Sequence, residues 1–479
     1  MKIKGLAAAG LLLLGVQLAG CGGGGGGGGG APAGTAAVVS TGVVTGFGSV
    51  YVNGVRFDTT GASFTVDDSP GSQGDLAVGD VVTVRGRIND DGRSGTATSV
   101  AGQDAVEGPV TAIDAVGGTL VVAGQTVLVD ADTSFDDNIP GASLAGLVAG
   151  DFVEVAGFLD ASGAVRATRI EKKPAGSTVE VNGTISDLDT GTSRFRINGL
   201  DISYAAAVLS DFEGAAPANG DLVEAKGTTF VAGVLQATRV EKKSAQAGDN
   251  GARQEIEGLI TRFASATDFD VAGQPVTTSA STVYENGTAA DLGVNLKVEV
   301  EGTVAAGVLV ARKVSIRRAG NVRLTAVVDS VDAGAGTLVM LGVTVKVDTL
   351  TRLEDKSDAD VESFSLADIR AGDYLEVRGA EFPAASGQLL ARRLEREEPD
   401  DRSIVQGPVT SVADPTLVVF GVTVTTDGGT EFQDLADNSL SASAFFGQVG
   451  PGDQVKARGA IVGDGILAAD EVEFESEDD

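Results

Sequence analysis

Gly150-Asp151-Phe152-Val153-Glu154-Val155-Ala156-Gly157, followed by Gly163-Ala164-Val165-Arg166-Ala167-Thr168-Arg169-Ile170, decides the fold of this chain. The first stretch alternates apolar residues with Glu, a period of two that marks a half-buried antiparallel strand. The second feeds from a glycine-containing hairpin turn into another alternating strand. The same order recurs at Val82-Thr83-Val84-Arg85-Gly86, at Leu375-Glu376-Val377-Arg378-Gly379, and in the hairpin arm Gly233-Val234-Leu235-Gln236-Ala237-Thr238-Arg239-Val240. Each such strand is read as ending in its glycine.

Working outward, six copies of one module can be laid out, the first thing to settle in a long chain. Each opens with a strand holding a small residue, at Gly42, Gly108, Gly183, Gly258, Ala326 and Gly407. A second strand carries an apolar-X-Gly or similar step at Gly54, Gly124, Gly199, Gly273, Gly342 and Gly421. Gly-Asp then precedes the alternating strand at Asp80, Asp151, Asp221, Asp373 and Asp453, whereas the fourth copy has Asn295-Leu296 there and is expected to be the least regular. Residues 144–149 and 365–371 are long enough for one helical turn, which the following glycine would end.

Short strands with one apolar face are unstable as open ribbons, so closure is the simplest solution. The expected fold is all-β, a tandem array of about six small OB-like or SH3-like antiparallel β-barrels. The boundaries read from the repeats are 1–20 for an export signal, 21–40 for a glycine-rich tether, and 41–103, 104–174, 177–246, 254–319, 321–399 and 402–477 for the barrels. Short polar linkers between them suggest a rod or bent string of separately folding modules.

The order of a small-residue first strand, apolar-X-Gly, a Thr-rich middle (Thr133, Thr282, Thr351, Thr430), Gly-Asp, apolar-Glu-apolar-X-Gly and Ala-Thr-Arg-Ile/Val resembles the bacterial exported repeat family called "domain of unknown function 5666". The resemblance covers nearly everything from Thr41 to Phe474. It implies small β-barrels and a life outside the cytoplasm, and it supplies no catalytic residues.

At the start of the chain, Lys2 and Lys4 precede an apolar run that ends in Leu18-Ala19-Gly20-Cys21. Charged start, apolar stretch and small-residue site are the parts of a secretory signal, and the run is shorter than the roughly 20 residues of a membrane span. The motif resembles the lipobox of bacterial lipoproteins, which implies cleavage before Cys21 and its acylation. Several acyl chains make a firm anchor where one holds reversibly. Gly22 follows the cysteine, and Asp at that position often signals inner-membrane retention in the lipoproteins this resembles. The expected place is therefore the outer membrane, facing periplasm or cell surface. Gly22 to Gly30 is a flexible tether, since glycine loses the most backbone freedom on ordering.

The chain has 35 basic and 67 acidic residues, a formal charge of −32 that becomes −34 once Lys2 and Lys4 leave with the signal. Such a field disfavours phosphate backbones, and aromatic residues for stacking on single strands are only 5%, so no nucleic acid is expected as partner. There is no His, and the single Cys is the lipidation candidate; the usual general base and commonest metal ligand is missing. No G-x-S-x-G step is found either, so no catalytic residues, no enzyme activity and no cofactor are assigned.

The Gly-Asp aspartates, Asp80, Asp151, Asp221, Asp373 and Asp453, are read as turn formers that bond nearby backbone amides. Acidic clusters at Asp67-Asp68, Asp136-Asp137, Asn89-Asp90-Asp91-Gly92 and Glu354 to Glu362 have the oxygens calcium takes, but none matches the spaced calcium loop, so metal binding stays open, with calcium possible but not indicated. The acidic end from Glu471 to Asp479 reads as a solvated tail. The leading reading is a lipid-anchored envelope protein, tied to the membrane through Cys21, that acts as a multivalent binding or spacer scaffold for a protein or glycan ligand. Two others stay open: a carboxylate-dependent enzyme on envelope polysaccharide, and a calcium-dependent structural rod.

Overall fold

The computed structural model describes residues 36–475 except 116, 244–247, 319 and 437. The signal segment, Cys21 and most of the tether lie outside the described residues. Residues 36–40, assigned to the tether from sequence, belong instead to the first strand, Ala36–Gly46.

The second repeat shows how the module closes. Its opening strand Val106–Asp114 pairs antiparallel with Thr119–Val122, which pairs with Gln125–Leu128. Gln125–Leu128 runs parallel to the last strand, Val165–Lys173, which is antiparallel to Phe152–Leu159, and Phe152–Leu159 returns to the opening strand. The ring is therefore first, second, third, fifth, fourth and back to first, a closed OB-like barrel. The same ring closes in repeats one, four, five and six. In repeat three the strands are broken and the ring is divided between two sheets, with Val179–Thr184 and Leu222–Gly227 in one and Leu200–Ser203 and Val234–Gln236 in the other.

The alternation works as read: Val153 and Val155 are buried in the barrel with Val106, Val165 and Ile170. The glycine after it, however, does not end the strand. Phe152–Leu159 runs through Gly157, where the register slips so that Ala156 faces Arg169 and Gly157 faces Ala167, leaving Thr168 bulged. A Cβ on Gly157 would collide with the carbonyl oxygen of Arg166, so only glycine lets the two strands approach here. Thr133 secures the same place by donating its hydroxyl to the Ala167 carbonyl at 3.0 Å. Its counterparts Thr282, Thr351 and Thr430 donate to Ala311, Ala391 and Ala469.

The segments expected to be helical are single 3₁₀ turns, Leu144–Gly146 and Leu366–Asp368. They end at Leu147 and Ile369 in extended backbone, so the later glycine is not their cap. Gly150 instead sits at φ 97° in the tight turn before the next strand, with its amide on Val110 O at 2.9 Å. The fourth repeat keeps this turn. Asn295 takes φ 66°, and its amide bonds Ile260 O at 2.8 Å; Asn tolerates this backbone region better than most residues. Only the aspartate is lost, so that turn is not irregular.

The repeats do not form a string of separate modules. Repeats two and three share a sheet through Val106 opposite Val181, repeats five and six through Leu324 opposite Val405, and repeats one and four, distant in sequence, through parallel pairing of Val38–Thr41 with Arg253–Ile256. Apolar packing follows the same partnership, with one continuous core across repeats two and three and another across five and six. Val43, Val81, Ala156, Phe158 and Leu259 form a further buried cluster drawn from repeats one, two and four. The acidic end is not all tail, since Ile466–Phe474 is the last strand and Glu475 pairs with Lys456 at 2.9 Å. Among the described residues no helix is long and apolar enough to cross a membrane.

Candidate functional site

The five Gly-Asp aspartates lie in five different repeats and do the same thing. Each carboxylate accepts from the amide three residues earlier: Asp80 from Ala77 at 2.7 Å, Asp151 from Val148 at 3.0 Å, Asp221 from Ala218 at 2.9 Å, Asp373 from Arg370 at 2.9 Å and Asp453 from Gly450 at 2.8 Å. Lys172 and Lys242 hydrogen-bond to Asp151 and Asp221 and hold their carboxyls below the usual range. Burial pushes Asp80 up to about 6, against the pull of Arg169. These residues do not converge.

Of the acidic clusters, Asp136 pairs with Arg169 at 2.5 Å and Asp355 with Arg396, while Asp91 accepts from the Arg93 and Ser94 amides of its own turn. Asp67 and Asp68 are different. They form the tip between Ser63–Val66 and Ser69–Gly71, at φ 50° and 60°, the two-positive-φ hairpin turn that Asp accepts more readily than most residues. This tip of repeat one lies against repeats two and three.

On one flank, carboxylate oxygens of Asp67, Asp104 and Glu154 all lie within 4.8 Å of one another. Asp104 sits on the short connection between repeats one and two, and its carbonyl accepts from Asn182 Nδ2 at 2.7 Å. Lys173 reaches Glu154 at 2.9 Å and Glu171 at 3.3 Å. On the other flank, Asp68 pairs with Lys226 at 3.0 Å and Arg239 at 3.5 Å. Lys226 also holds Glu180 at 2.6 Å, and Lys243 binds Glu224 at 2.8 Å and Glu241 at 3.0 Å.

Burial drives four acids of this junction, Asp104, Glu107, Glu154 and Glu180, upward. Glu107 and Glu154 each rise to about 7 and Glu180 to about 8, with Glu224 adding repulsion to Glu180. Asp104 is raised well above the usual range by burial, by Glu154 and by its hydrogen bond with Asp67. For Lys226 burial works the other way, but the charges of Glu180 and Glu224 outweigh it and raise the ammonium. Chemically this is a proton-sharing, ion-paired junction. Lys226 and Lys243 already stand among Asp68, Glu224 and Glu241, and Lys173 on Glu154, which fits poorly with a calcium cage of six to eight oxygens.

Sequence reasoning singled out Asp67 and Asp68 but not Asp104, which lies on the connection after Gln103, nor Glu154 and Glu180, which alternate on strand faces assigned to water. A pointer was present in the repeated Glu and Lys of those faces, such as Glu171-Lys172-Lys173 and Glu241-Lys242-Lys243. Neutralising pairs on two adjoining modules can meet.

Among the described residues, cavities also lie elsewhere, two of them as follows. One of about 470 Å³ is at the seam of repeats one and four, lined by Ala37, Arg253, Thr303 and Arg312. The other, of about 650 Å³ in repeat six, is lined by Leu435, Gln448, Asp453 and Phe474.

In OB folds, loops such as the one between strands four and five bind ligands. In repeat two that loop is spent inside the protein, with the Ala161 amide on Asn295 Oδ1 at 2.9 Å and Gly163 O accepting from Asn198 at 2.9 Å. In repeat three the equivalent hairpin leaves Phe230 40% and Val231 57% exposed; in repeat six the turn Asp464-Gly465 packs against Leu341-Gly342 of repeat five, but Ile461 and Val462 before it are 40% and 64% exposed.

The family described as "Domain of unknown function (DUF5666)" matches residues 38–101, 107–171, 182–241, 257–315, 325–395 and 406–473. A solved structure titled "drosophila Unr CSD456" is similar at 17% identity, over 45% of this chain and 98% of that one, with a TM-score of 0.12. No curated protein matches the chain.

Proposed function

Because the chain belongs to the DUF5666 family in all six of its repeats, we propose that it is a lipid-anchored envelope scaffold that presents several OB-like barrels to a protein partner. The supporting observation is the pair of exposed apolar dipeptides, Phe230-Val231 and Ile461-Val462, each on a hairpin of a strongly acidic protein. Apolar tips rimmed by polar surface mark interaction sites, and two tips held by one folded unit bind a divalent partner with an avidity neither has alone. Aliphatic side chains predominate and there is no Trp, so the tips suit an apolar protein surface with a basic rim better than the face of a sugar ring. Anchorage would come from acylated Cys21.

The test is capture of envelope proteins by the soluble chain from residue 36 onward. Val231→Lys combined with Val462→Lys should abolish capture of the specific partner, and each single change should leave weakened binding. Retention by the soluble chain of envelope glycan alone, unaffected by both changes, would replace this reading.

A further inference from the structure

Repeat one touches repeats two and three through the Asp67-Asp68 tip, and the two flanks of that tip are unlike. Asp68 meets cations, Lys226 and Arg239. Asp67 meets acids, Asp104 and Glu154, within 4.8 Å. Around them stand Glu107 and Glu171 of repeat two and Glu180 of repeat three, with Lys173 as the near cation on that side. Beyond Asp68, Glu224 and Glu241 are matched by Lys226 and Lys243. Carboxylates crowded this closely with one ammonium cannot all be ionised, so at least one keeps its proton.

We propose that the tip is a proton-operated clasp: protons held by Asp104 and Glu154 against the Asp67 carboxylate keep the hairpin of repeat one seated on repeats two and three, and their loss as pH rises drives it off.

The sign follows from the groups. Acids raised in the folded protein bind more protons there than in the unfolded chain, so their contribution weakens as pH climbs from the ordinary carboxylate range, about 4, through the values of about 7 for Glu154 and about 8 for Glu180. Lys226 and Lys173 stay charged throughout, so the Asp68 flank holds while the Asp67 flank turns repulsive.

Hydrogen exchange of the amides of Ser63–Val66, Ser69 and Gly71 in the full chain, with a chelator present, tests this. Between about pH 5.5 and about pH 8.5 their protection, corrected for intrinsic rate, should fall at least about tenfold, while that of Gln454–Gly463 in repeat six holds. Asp67→Asn, on an exposed turn that Asn accepts, should flatten the difference to under about twofold, and Asp104→Asn should do the same. Asp68→Asn should lower protection at both pH values and keep the ratio. A wild-type hairpin equally protected at both pH values, or an Asp67→Asn hairpin that keeps the tenfold change, overturns the clasp.

Discussion

Arg352 of the fifth repeat donates through Nη1 to the main-chain oxygen of Thr168 in the second, 3.0 Å away and 184 positions earlier in sequence. The same guanidinium reaches Ser134 Oγ at 3.4 Å and the Asp132 carbonyl, and Arg393 beside it donates to Thr133 O at 2.8 Å. Thr168 is the bulged residue opposite Gly157, so the irregularity that shapes one barrel also frees a carbonyl for its neighbour. Arg352→Met should leave these buried acceptors unpartnered and cost about 2–4 kcal/mol, since hydrogen bonds to a charged group contribute about 1.5–3 each but share one side chain. Urea unfolding of the full chain measures the loss.

Gly157→Ala and Gly150→Ala separate two reasons for glycine. At Gly157 the added Cβ meets the Arg166 carbonyl, whereas at Gly150 it meets nothing within 4 Å and the only cost is backbone strain at φ 97°. The first change should cost about 3 kcal/mol and the second about 1–2 kcal/mol. Denaturant midpoints of the two variants decide the order.

A fragment of residues 104–174 should melt lower and less sharply than one of residues 104–243. Without repeat three, Val106, Val179 and Val181 no longer bury one another, a loss of about 3 kcal/mol, or roughly 10–20 °C in a domain of this size. Calorimetry of the two fragments gives the comparison.

Global stability should fall steadily from about pH 5 to about pH 8. The chain has no His to titrate there, and burial raises Glu255 and Glu397 to about 7 and Glu299 to about 8. Each binds its proton in the folded protein longer than in the unfolded chain, so stability is full below the unfolded value and declines through the folded one. Paired urea titrations at the two ends of the range should differ by about 1–3 kcal/mol in favour of the acid side.

Cys21→Ser should abolish incorporation of labelled palmitate and leave the signal segment uncleaved by the lipoprotein peptidase. A labelled Cys21→Ser chain would count against the anchor.

Alternation made the barrel legible, because Val153, Val155 and Val165 must share an interior whatever surrounds them. The Gly-Asp step was also legible as local chemistry, since Asp151 bonds an amide three residues away. What lay beyond reading was the union of repeats. Parallel pairing of Val38–Thr41 with Arg253–Ile256 uses main-chain groups that every residue owns, so no side-chain pattern announces it. Glu154, Glu180 and Arg352 look like wet-face residues along a strand and become buried partners only when a second barrel arrives. Gly157 was misread as a strand end because a bulge and a terminus both ask for the same residue.

The pairing of Ser40 with Glu255 spans 215 positions, and this sets a schedule for a chain made from its N-terminus. The first barrel can close on its own strands as soon as Gln103 has emerged, with Val38–Thr41 paired on one side to Thr83–Gly86, yet the other side of Val38–Thr41 must then wait, open, until repeats two and three have been synthesised. An unpaired edge is an invitation to foreign strands. A nascent chain halted before Arg253 therefore carries a barrel that is closed but adhesive, and the fourth repeat is the natural stopper for the first.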